Sequence, residues 1–350
     1  MIPGRLNSSC VPQYDAGIQF PRSIVRGAFV QEVASVKNIL VPTDFSEFAR
    51  CAGDLAIWLA KRASGKVTFL HALADFRERI AALPDLEQWT TAGPDFAKIA
   101  DTVRADVEKR LAKVVGRYAK TGVTAEGKCV FGKTFVETIH AVQTQRFDLV
   151  VLGTRGENAI KRFLVGSTAD RLIQHCPAPV WVTHKDQKPQ VTSVLAAVDF
   201  SDASRTALVK AAELARIARA RLHVVHVLND ADFADLIEHS EGTMPRVTRK
   251  EMQTAAARHL ETFVRAVLPE ESLPEMHVSH GDGWRMIGTA AKRVDASVIV
   301  LSTIGRGGVS GLLLGSTAER VLHTSEVGVL VVKPDGFETS IAPPLVSQWS

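Results

Sequence analysis

The sequence predicts an α/β fold of two tandem domains, each a doubly wound, five-stranded parallel sheet with helices on both faces. Two observations support this prediction. Short apolar runs rich in β-branched residues alternate with longer segments of helical periodicity, an order typical of parallel sheets covered by helices. The chain also repeats itself, because Gly305 follows Gly156 and Gly315 follows Gly166 by the same 149 positions.

The repeat divides the 350 residues into four segments. They are an irregular N-terminal extension (1–35), a first domain (36–184), a second domain (191–334) and a C-terminal tail (335–350). The polar linker between the domains, 185–190, is short enough to keep them in contact range. The extension is either a poorly ordered tail or a segment that packs on the second domain or on a partner.

The elements follow from local pattern. Apolar, β-branched runs bounded by polar or glycine residues predict strands. In the first domain these are Lys37–Thr43, Val67–Leu73, Val123–Phe131, Leu149–Leu152 and Val180–Thr183. Helical spacing of apolar residues predicts helices after Ser46 and over Phe96–Lys120, Thr134–Gln143 and Ala169–His175. The second domain repeats this order, with strands near Val194–Val198, Arg221–Leu228, Met276–His280, Ser297–Leu301 and Gly328–Val332.

Composition narrows the class of protein. With 46% hydrophobic and 23% charged residues the chain is ordinary for a globular protein, and a net charge of +4 gives no case for a nucleic-acid partner. No apolar run is long enough to span a membrane, and no secretory signal is present. The four cysteines show no CxxC spacing, which fits a reducing cytoplasm. We therefore expect a cytoplasmic protein that binds neither membranes nor nucleic acid.

The stretch that points to function is a glycine-spaced loop after the fourth strand. Gly153 ends that strand, Gly156 and Gly166 follow, and Ser167 and Thr168 open a helix. A helix start offers unpaired amides and a positive dipole end, and both favour an anion such as phosphate. Arg155 could neutralise phosphate charge there, although Glu157 in the same loop works against it. The second domain repeats the arrangement with Ser302, Gly305, Gly315, Ser316 and Thr317.

Asp44 and Asp199 each follow the first strand of a domain. That edge is where open parallel sheets bind ligands, and a carboxylate there could accept hydrogen bonds from adenine or ribose. Each aspartate also lies two residues before a serine that opens a helix, so each could simply cap that helix. The residues by themselves leave both roles open.

With these motifs, each domain resembles a universal stress protein domain. The shared pattern is a strand ending in Asp, a second strand ending in His71 or His226, and a closing Gly-x2-Gly-x9-Gly-Ser/Thr. The second domain departs from it, because Ser302 replaces the first glycine. The first departs too, since Glu157 and Asn158 stand where the family has glycines. The resemblance covers most of the chain.

The resemblance implies an adenine nucleotide alpha hydrolase-like fold and a bound ATP, alone or with Mg²⁺. The backbone after each strand histidine, at Ala72 and Val227, is the implied partner of the adenine edge. The implied nucleotide-binding residues are Pro42, Thr43, Asp44, Ala72, Gly153, Arg155, Gly156, Gly166, Ser167 and Thr168 in the first domain. In the second they are Val198, Asp199, Val227, Ser302, Gly305, Gly315, Ser316 and Thr317.

The resemblance also implies association through the last strand of the sheet, since single-domain members of the family associate as dimers. Here those strands, Val180–Val182 and Val329–Val332, are apolar edges that need a cover. We predict that they pair with each other and join the domains into a pseudo-dimer. The alternative is that the short linker prevents this rotation, in which case the edges pair between two chains as a homodimer.

The sequence also contains residues that could suggest a phosphate loop, a zinc site or a catalytic nucleophile. Gly127–Thr134 satisfies GxxxxGK[ST], but the pattern needs a loop between its glycines, and the sequence predicts a strand there. His223 and His226, like His277 and His280, are three apart on strands and point to opposite faces, so no zinc site is predicted. No nucleophile has a convincing base, so no catalytic residue is named.

The sequence thus predicts an ATP-binding regulatory or stress-response module rather than an enzyme, with slow ATP hydrolysis at most. Two alternatives remain: a P-loop-like ATPase that uses Gly127–Thr134, and a nucleotide-free scaffold that works by dimerisation. The protein partner and the stress served are not specified by the residues.

Overall fold

The structure is a computed structural model that describes residues 36–73, 96–154, 165–229, 249–304 and 314–344. The first half contains five strands and four helices within these ranges. In chain order they are β1 Asn38–Pro42, α1 Glu47–Ala63, β2 Lys66–Leu73, α2 Phe96–Arg117, β3 Thr124–Phe131, α3 Thr134–Gln145, β4 Leu149–Gly153, α4 Ser167–His175 and β5 Val180–Thr183.

The second half repeats this order. Its elements are β6 Ser193–Ala197, α5 Asp202–Ala218, β7 Arg221–Leu228, α6 Arg249–Val267, β8 Glu275–His280, α7 Gly283–Arg293, β9 Val298–Ser302, α8 Ser316–Thr324 and β10 Gly328–Val332. The strands and helices predicted from local pattern are all present, with ends that differ by a few residues.

All ten strands form one sheet in the order β3-β2-β1-β4-β5-β10-β9-β6-β7-β8. Neighbouring strands within each half are parallel. The two halves meet where β5 pairs antiparallel with β10, with Val182 opposite Val329 and Val180 opposite Val331. The predicted pairing of the last strands within one chain is therefore confirmed, and the short linker permits it.

The seam between the halves is closely packed. Trp181 lies opposite Leu330 at the centre of the antiparallel pair and has no exposed surface. Gly328 leaves room for it, because a Cβ at that position would lie 2.7 Å from the indole nitrogen of Trp181 and 2.3 Å from Oε1 of Gln187. Gln187 belongs to the linker, so the linker is itself part of the seam.

Helices cover both faces of the sheet, as predicted for a doubly wound fold. Helices α1, α2, α5 and α6 bury one face, with Leu55 and Leu208 among the fully buried residues. Helices α3, α4, α7 and α8 bury the other, with Ile139 and Leu172. Each apolar layer runs across both halves. The joint core follows from the continuous sheet.

The C-terminal tail returns to the first half. Gln143 of α3 donates to the carbonyl of Ile341 at 3.0 Å, and the ring of His140 lies 3.1 Å from the carbonyl of Ala342. Ile341 packs against the apolar layer beneath α3 and α4. In the second half the corresponding groove between α7 and α8 contains a cavity of about 290 Å³. The tail therefore makes the two halves unequal.

Two sequence expectations concern membrane and redox chemistry. Among the described residues, no helix has both the length and the apolar character needed to cross a bilayer. Cys51, Cys129 and Cys176 are free thiols, all buried. Burial raises the pKa of the Cys176 thiol to about 12, so this thiol stays protonated at neutral pH.

Candidate functional site

The candidate site of the first half lies at the carboxyl edge of the sheet. Strands β1 and β4 are parallel neighbours, so the loops after Pro42 and Gly153 leave the same edge side by side. Helix α4 begins at Ser167, after the loop that follows β4. Asp44, Gly153 and the start of α4 are thereby brought to one edge of the sheet. The segments predicted to hold a ligand therefore leave the sheet at the same edge.

Asp44 takes part in a tight turn that leads into α1. Its Oδ1 accepts a hydrogen bond from the amide of Ser46 at 3.0 Å, and the hydroxyl of Ser46 accepts from the amide of Ala49 at 3.2 Å as N-cap of the helix. Phe45, between them, has a left-handed φ of 68°. Ser46, and not Asp44, is therefore the N-cap of α1. Asp44 holds Ser46 in place by accepting a hydrogen bond from its amide.

Thr43 is occupied by contacts within the fold. Its amide donates to the carbonyl of Leu70, its hydroxyl accepts from the amide of Phe45, and its carbonyl lies 2.7 Å from Nδ1 of His71. A carbonyl can only accept, so His71 carries its proton on Nδ1. Burial lowers the pKa of His71, which keeps the ring neutral. Thr43 and His71 therefore fix the geometry of the edge.

The second half repeats this edge closely. His226 Nδ1 lies 2.8 Å from the carbonyl of Val198, and Phe200 has a left-handed φ of 67°. Asp199 Oδ1 accepts from the amide of Ser201 at 3.1 Å and also from its hydroxyl at 2.6 Å. Because two copies of the chain's own sequence adopt the same turn, the turn is a property of the motif rather than of one loop.

The backbone N–H and C=O groups of Ala72 point to the β1 side of β2, beyond the last residue of β1. In a strand, alternate residues direct their N–H and C=O groups to the same neighbour. Leu70 accepts from the amide of Thr43, just past the end of β1, so Ala72 points the same way, beyond that end. Val225 accepts from Val198 in the second half, which directs Val227 likewise. Both implied adenine partners face the carboxyl edge.

The glycine loops are closed at the base by one backbone hydrogen bond each. The amide of Gly166 donates to the carbonyl of Thr154 at 2.8 Å, and that of Gly315 donates to Thr303 at 2.7 Å. Arg155, Gly156 and Gly305, which the sequence places in these loops, lie outside the described residues. In each half, this hydrogen bond holds the end of the strand next to the start of the helix.

Both helix starts present amides toward the edge. Gly166 is the N-cap of α4 and Gly315 of α8, with φ of −67° and −75°, and neither supplies a side-chain cap. Ser167, Ser316 and Thr317 are exposed. A helix start without a side-chain cap keeps amide donors and a positive dipole end for an anion. These features match a phosphate-binding position.

Position 153 requires glycine because of packing within the fold. A Cβ there would lie 2.6 Å from Cβ of Phe48 and 2.8 Å from its carbonyl carbon. The family resemblance implies a ligand at Gly153, whereas the described contact is with helix α1. In the second half Ser302 takes this position, and the residue aligned with Phe48 is Ala203. Ser302 donates to the carbonyl of Ile304 at 2.9 Å, a contact within its own turn.

Sequence reasoning missed one cation at the first edge. The guanidinium of Arg110, on α2, lies 4.0 Å from the ring centroid of Phe45, next to Asp44. In the second half the ring of His259 stacks on Phe200 at 4.3 Å. His259 follows Arg110 by 149 positions, the offset of the glycine repeat. Aligning the two halves along α2 and α6 could have found this pair.

The rival phosphate-loop motif does not form a loop. Gly127 lies within β3, Thr124–Phe131, and a Cβ there would lie 2.9 Å from Cβ of Leu111 on α2. Gly132 has a φ of 140° in the turn into α3, and the exposed Lys133 is the N-cap of that helix. Gly127 thus allows β3 to pack against α2, and Gly132 allows the turn between β3 and α3. The described backbone therefore disagrees with a Walker loop.

The family follows from the match along the chain. A sequence model of the universal stress protein family matches twice, over residues 35–184 and 191–333. The chain belongs to the universal stress protein family. The resemblance seen in the motifs and the tandem arrangement are confirmed, and the chain has the stress-response role for which the family is named.

Relatives of similar length support this assignment. Universal stress protein E of Photorhabdus laumondii is 26% identical over 330 residues, which is 88% of this chain and 98% of the relative. Universal stress protein E of Escherichia coli K12 is 26% identical over 320 residues with the same coverage of both chains. Universal stress protein Mb2028c of Mycobacterium bovis is 29% identical over 255 residues, covering 72% of this chain and 81% of the relative.

The fold has solved counterparts. A universal stress protein from Archaeoglobus fulgidus aligns with a TM-score of 0.59 at 24% identity, covering 86% of this chain and 97% of its own. A protein of Pseudomonas aeruginosa described as functionally unknown aligns with a TM-score of 0.55 at 22% identity, over 87% and 94%. These likenesses show that this universal stress protein shares its α/β fold with both solved structures.

Proposed function

We propose that this universal stress protein binds ATP at the carboxyl edge of each half and acts as a regulatory module. The observation that carries the proposal is the pairing of a helix start without a side-chain cap with an aspartate at the same sheet edge, once in each half. An anion-binding helix start by itself would fit any phosphate. The aspartate adds an acceptor for ribose or adenine, which favours a nucleotide.

Each described group has a task in this proposal. The first amides of α4 and α8 would bind phosphate oxygens, with the dipole of each helix favouring negative charge. The carboxylates of Asp44 and Asp199 would accept hydrogen bonds from the nucleoside. The backbone at Ala72 and Val227 faces the same edge and would bind the adenine rim.

The proposal is binding with slow turnover at most. Backbone amides and a nucleoside-binding carboxylate hold a nucleotide without activating a water for attack on phosphate. The position of Gly127 within β3 argues against the P-loop-like alternative. The pairing of β5 with β10 within the chain argues against a scaffold that dimerises through those strands. Any accompanying Mg²⁺ would be held mainly by the phosphates.

Gly315→Val and Gly166→Val test the helix starts. Both glycines have negative φ, a conformation that valine can adopt. Among the described atoms, a Cβ on Gly315 would meet the carbonyl of Thr303 at an ordinary 3.4 Å, so Gly315→Val should fold. Valine at either position should block phosphate approach. One hydrogen bond to a charged group contributes about 1.5–3 kcal/mol, so ATP affinity at the altered site should fall at least about tenfold. Titration calorimetry measures both sites.

The two variants are each other's controls. Wild type should bind two equivalents of ATP, each single variant should bind one equivalent at the wild-type affinity, and the double variant should bind none at that affinity, with unchanged circular dichroism. Native mass spectrometry of gently purified protein gives an independent count of bound nucleotide. Full binding by the folded double variant would remove the helix starts from the proposal. Failure of the wild type to bind ATP would leave the nucleotide-free scaffold.

Lys133→Ala tests the P-loop-like alternative. The exposed ammonium lies at the N-cap of α3 and makes no side-chain capping contact. We expect ATP affinity to change by less than about twofold, well under the tenfold that 1.4 kcal/mol represents. Calorimetry on this variant, alongside Lys128→Ala as the matched control on the same segment, makes the comparison. A loss of affinity specific to Lys133→Ala would contradict our assignment and favour the ATPase.

A further inference from the structure

Three side chains that could bind a metal ion meet on the outer strands of the second half. His223 lies on β7, and Glu275 and His277 lie on the neighbouring edge strand β8. The parallel register sets Glu275 opposite His223 and His277 opposite Val225. Residues 275 and 277 therefore share the face of the sheet on which His223 lies. The cluster joins histidines of neighbouring strands, whereas histidines three apart within one strand point to opposite faces.

The distances suit a single small cation. Nδ1 of His223 lies 3.0 Å from Oε2 of Glu275 and 3.2 Å from Nε2 of His277, and all three atoms lie within 4.8 Å of one another. In a tetrahedral zinc site with ligand bonds of about 2.0–2.2 Å, neighbouring ligand atoms are about 3.3–3.6 Å apart. The Glu275 side chain is 73% exposed and can rotate to close the remaining gap.

Hydrogen bonding alone accounts poorly for this convergence. A neutral imidazole has one proton, so Nδ1 of His223 must share it between the carboxylate and the second ring, or leave two acceptor atoms facing each other. An ion at the centre would accept a lone pair from all three atoms at once. Histidine and carboxylate ligands with an open fourth position are typical of zinc.

Two arginines lie close enough to the three side chains to act on them electrostatically. Arg221 acts on His223, and Arg293 acts on both His223 and His277. The helix carrying Arg293, α7, packs against β7 and β8, so its positive charge weakens the attraction for a cation.

From this geometry we infer that His223, Glu275 and His277 form a binding site for one divalent transition ion, with zinc the best fit. The ion would link β8, the outermost strand of the second half, to β7. Among the described residues, Nε2 of His223 is buried with no hydrogen-bond partner. The usual acceptor behind a metal-binding histidine is therefore missing. Together with the two arginines, this predicts weaker binding than that of a four-cysteine structural site.

The site lies away from the proposed nucleotide edge. His223 is the third residue of β7 and Glu275 the first of β8, so both are near the amino ends of their strands. Asp199 follows the carboxyl end of β6. Metal binding and ATP binding can therefore be measured separately, and failure of one does not imply failure of the other.

The experiment is zinc titration of the full chain by calorimetry after chelator treatment and dialysis, without nucleotide. We expect one equivalent of zinc on the wild type. Glu275→Gln and His277→Asn should each weaken that binding at least about tenfold, with unchanged circular dichroism. His280→Asn, on the same strand but of opposite face parity, is the matched control and should bind as the wild type does. Cobalt added instead of zinc should give the visible absorption of a tetrahedral site.

Each outcome bears on the inference. Loss of the zinc equivalent in both ligand variants, with its retention in His280→Asn, supports it. No zinc on the wild type overturns it, and so does zinc that survives both substitutions. Loss in His280→Asn alone would assign the ion to a different cluster and would also overturn it.

Discussion

Trp181→Ala should lower the free energy of unfolding by about 3–5 kcal/mol, the range for a large aromatic removed from a core. Trp181 has no exposed surface and lies at the seam where β5 pairs with β10. Among the described residues its indole nitrogen has no hydrogen-bond partner, so the loss is one of packing. Because the seam joins the two halves, we expect the transition to become less cooperative as well.

Urea unfolding followed by circular dichroism and by fluorescence makes this measurement. Trp58→Ala is the matched control, since Trp58 is only half-buried on α1 with Arg62 4.5 Å from its ring centroid. It should cost distinctly less than the seam variant. Equal losses for the two variants would show that the seam contributes no more than a surface contact.

Gly153→Ala should destabilise the fold by about 1–3 kcal/mol, the usual cost of overpacking. The new methyl would lie 2.6 Å from Cβ of Phe48 and 2.9 Å from its carbonyl oxygen, and backbone cannot move aside cheaply. Gly116→Ala on α2 is the opposite case, because a Cβ there meets nothing within 4 Å. Gly116 lies in the last turn of α2, so alanine there should stabilise by at most the roughly 0.5–1 kcal/mol seen in helix interiors.

The clash involves atoms that any residue except glycine would have at position 48. They are the Cβ, the carbonyl carbon and the carbonyl oxygen of Phe48. Alanine keeps all three, so Phe48→Ala should not relieve the cost of Gly153→Ala. A double-mutant cycle by thermal unfolding measures the coupling. A cost of Gly153→Ala that disappears in the Phe48→Ala background would refute this account of Gly153.

Much of the fold was predictable because it follows from local pattern and internal repetition. The β-branched runs specified the strands, and the apolar run at Val329–Val332 specified an edge that needed a partner. That partner proved to be the run at Val180–Val182. Two copies in one chain also made the edge turn recognisable, since Asp44 and Asp199 stand in equivalent sequence.

The candidate site was less predictable because it depends on contacts between distant segments. The sequence marked Gly153 as a glycine but could not say that Phe48 is its neighbour. It named Asp44 but not Arg110, 66 positions later, whose guanidinium lies over the adjacent ring. His223 and His277 meet only because β7 and β8 pair in one particular register. Each of these contacts is set by packing, which one-dimensional spacing does not encode.

The antiparallel seam determines how the two candidate sites are oriented relative to each other. Strands are parallel within each half, so reversing direction at β5 and β10 turns the carboxyl edge of one half away from that of the other. Asp44 and Asp199 therefore face opposite rims of the same sheet. A ligand at one rim cannot touch a ligand at the other. The protein can present two separate faces to its surroundings, and the strand pair that contains Trp181 joins the two halves of the sheet between them.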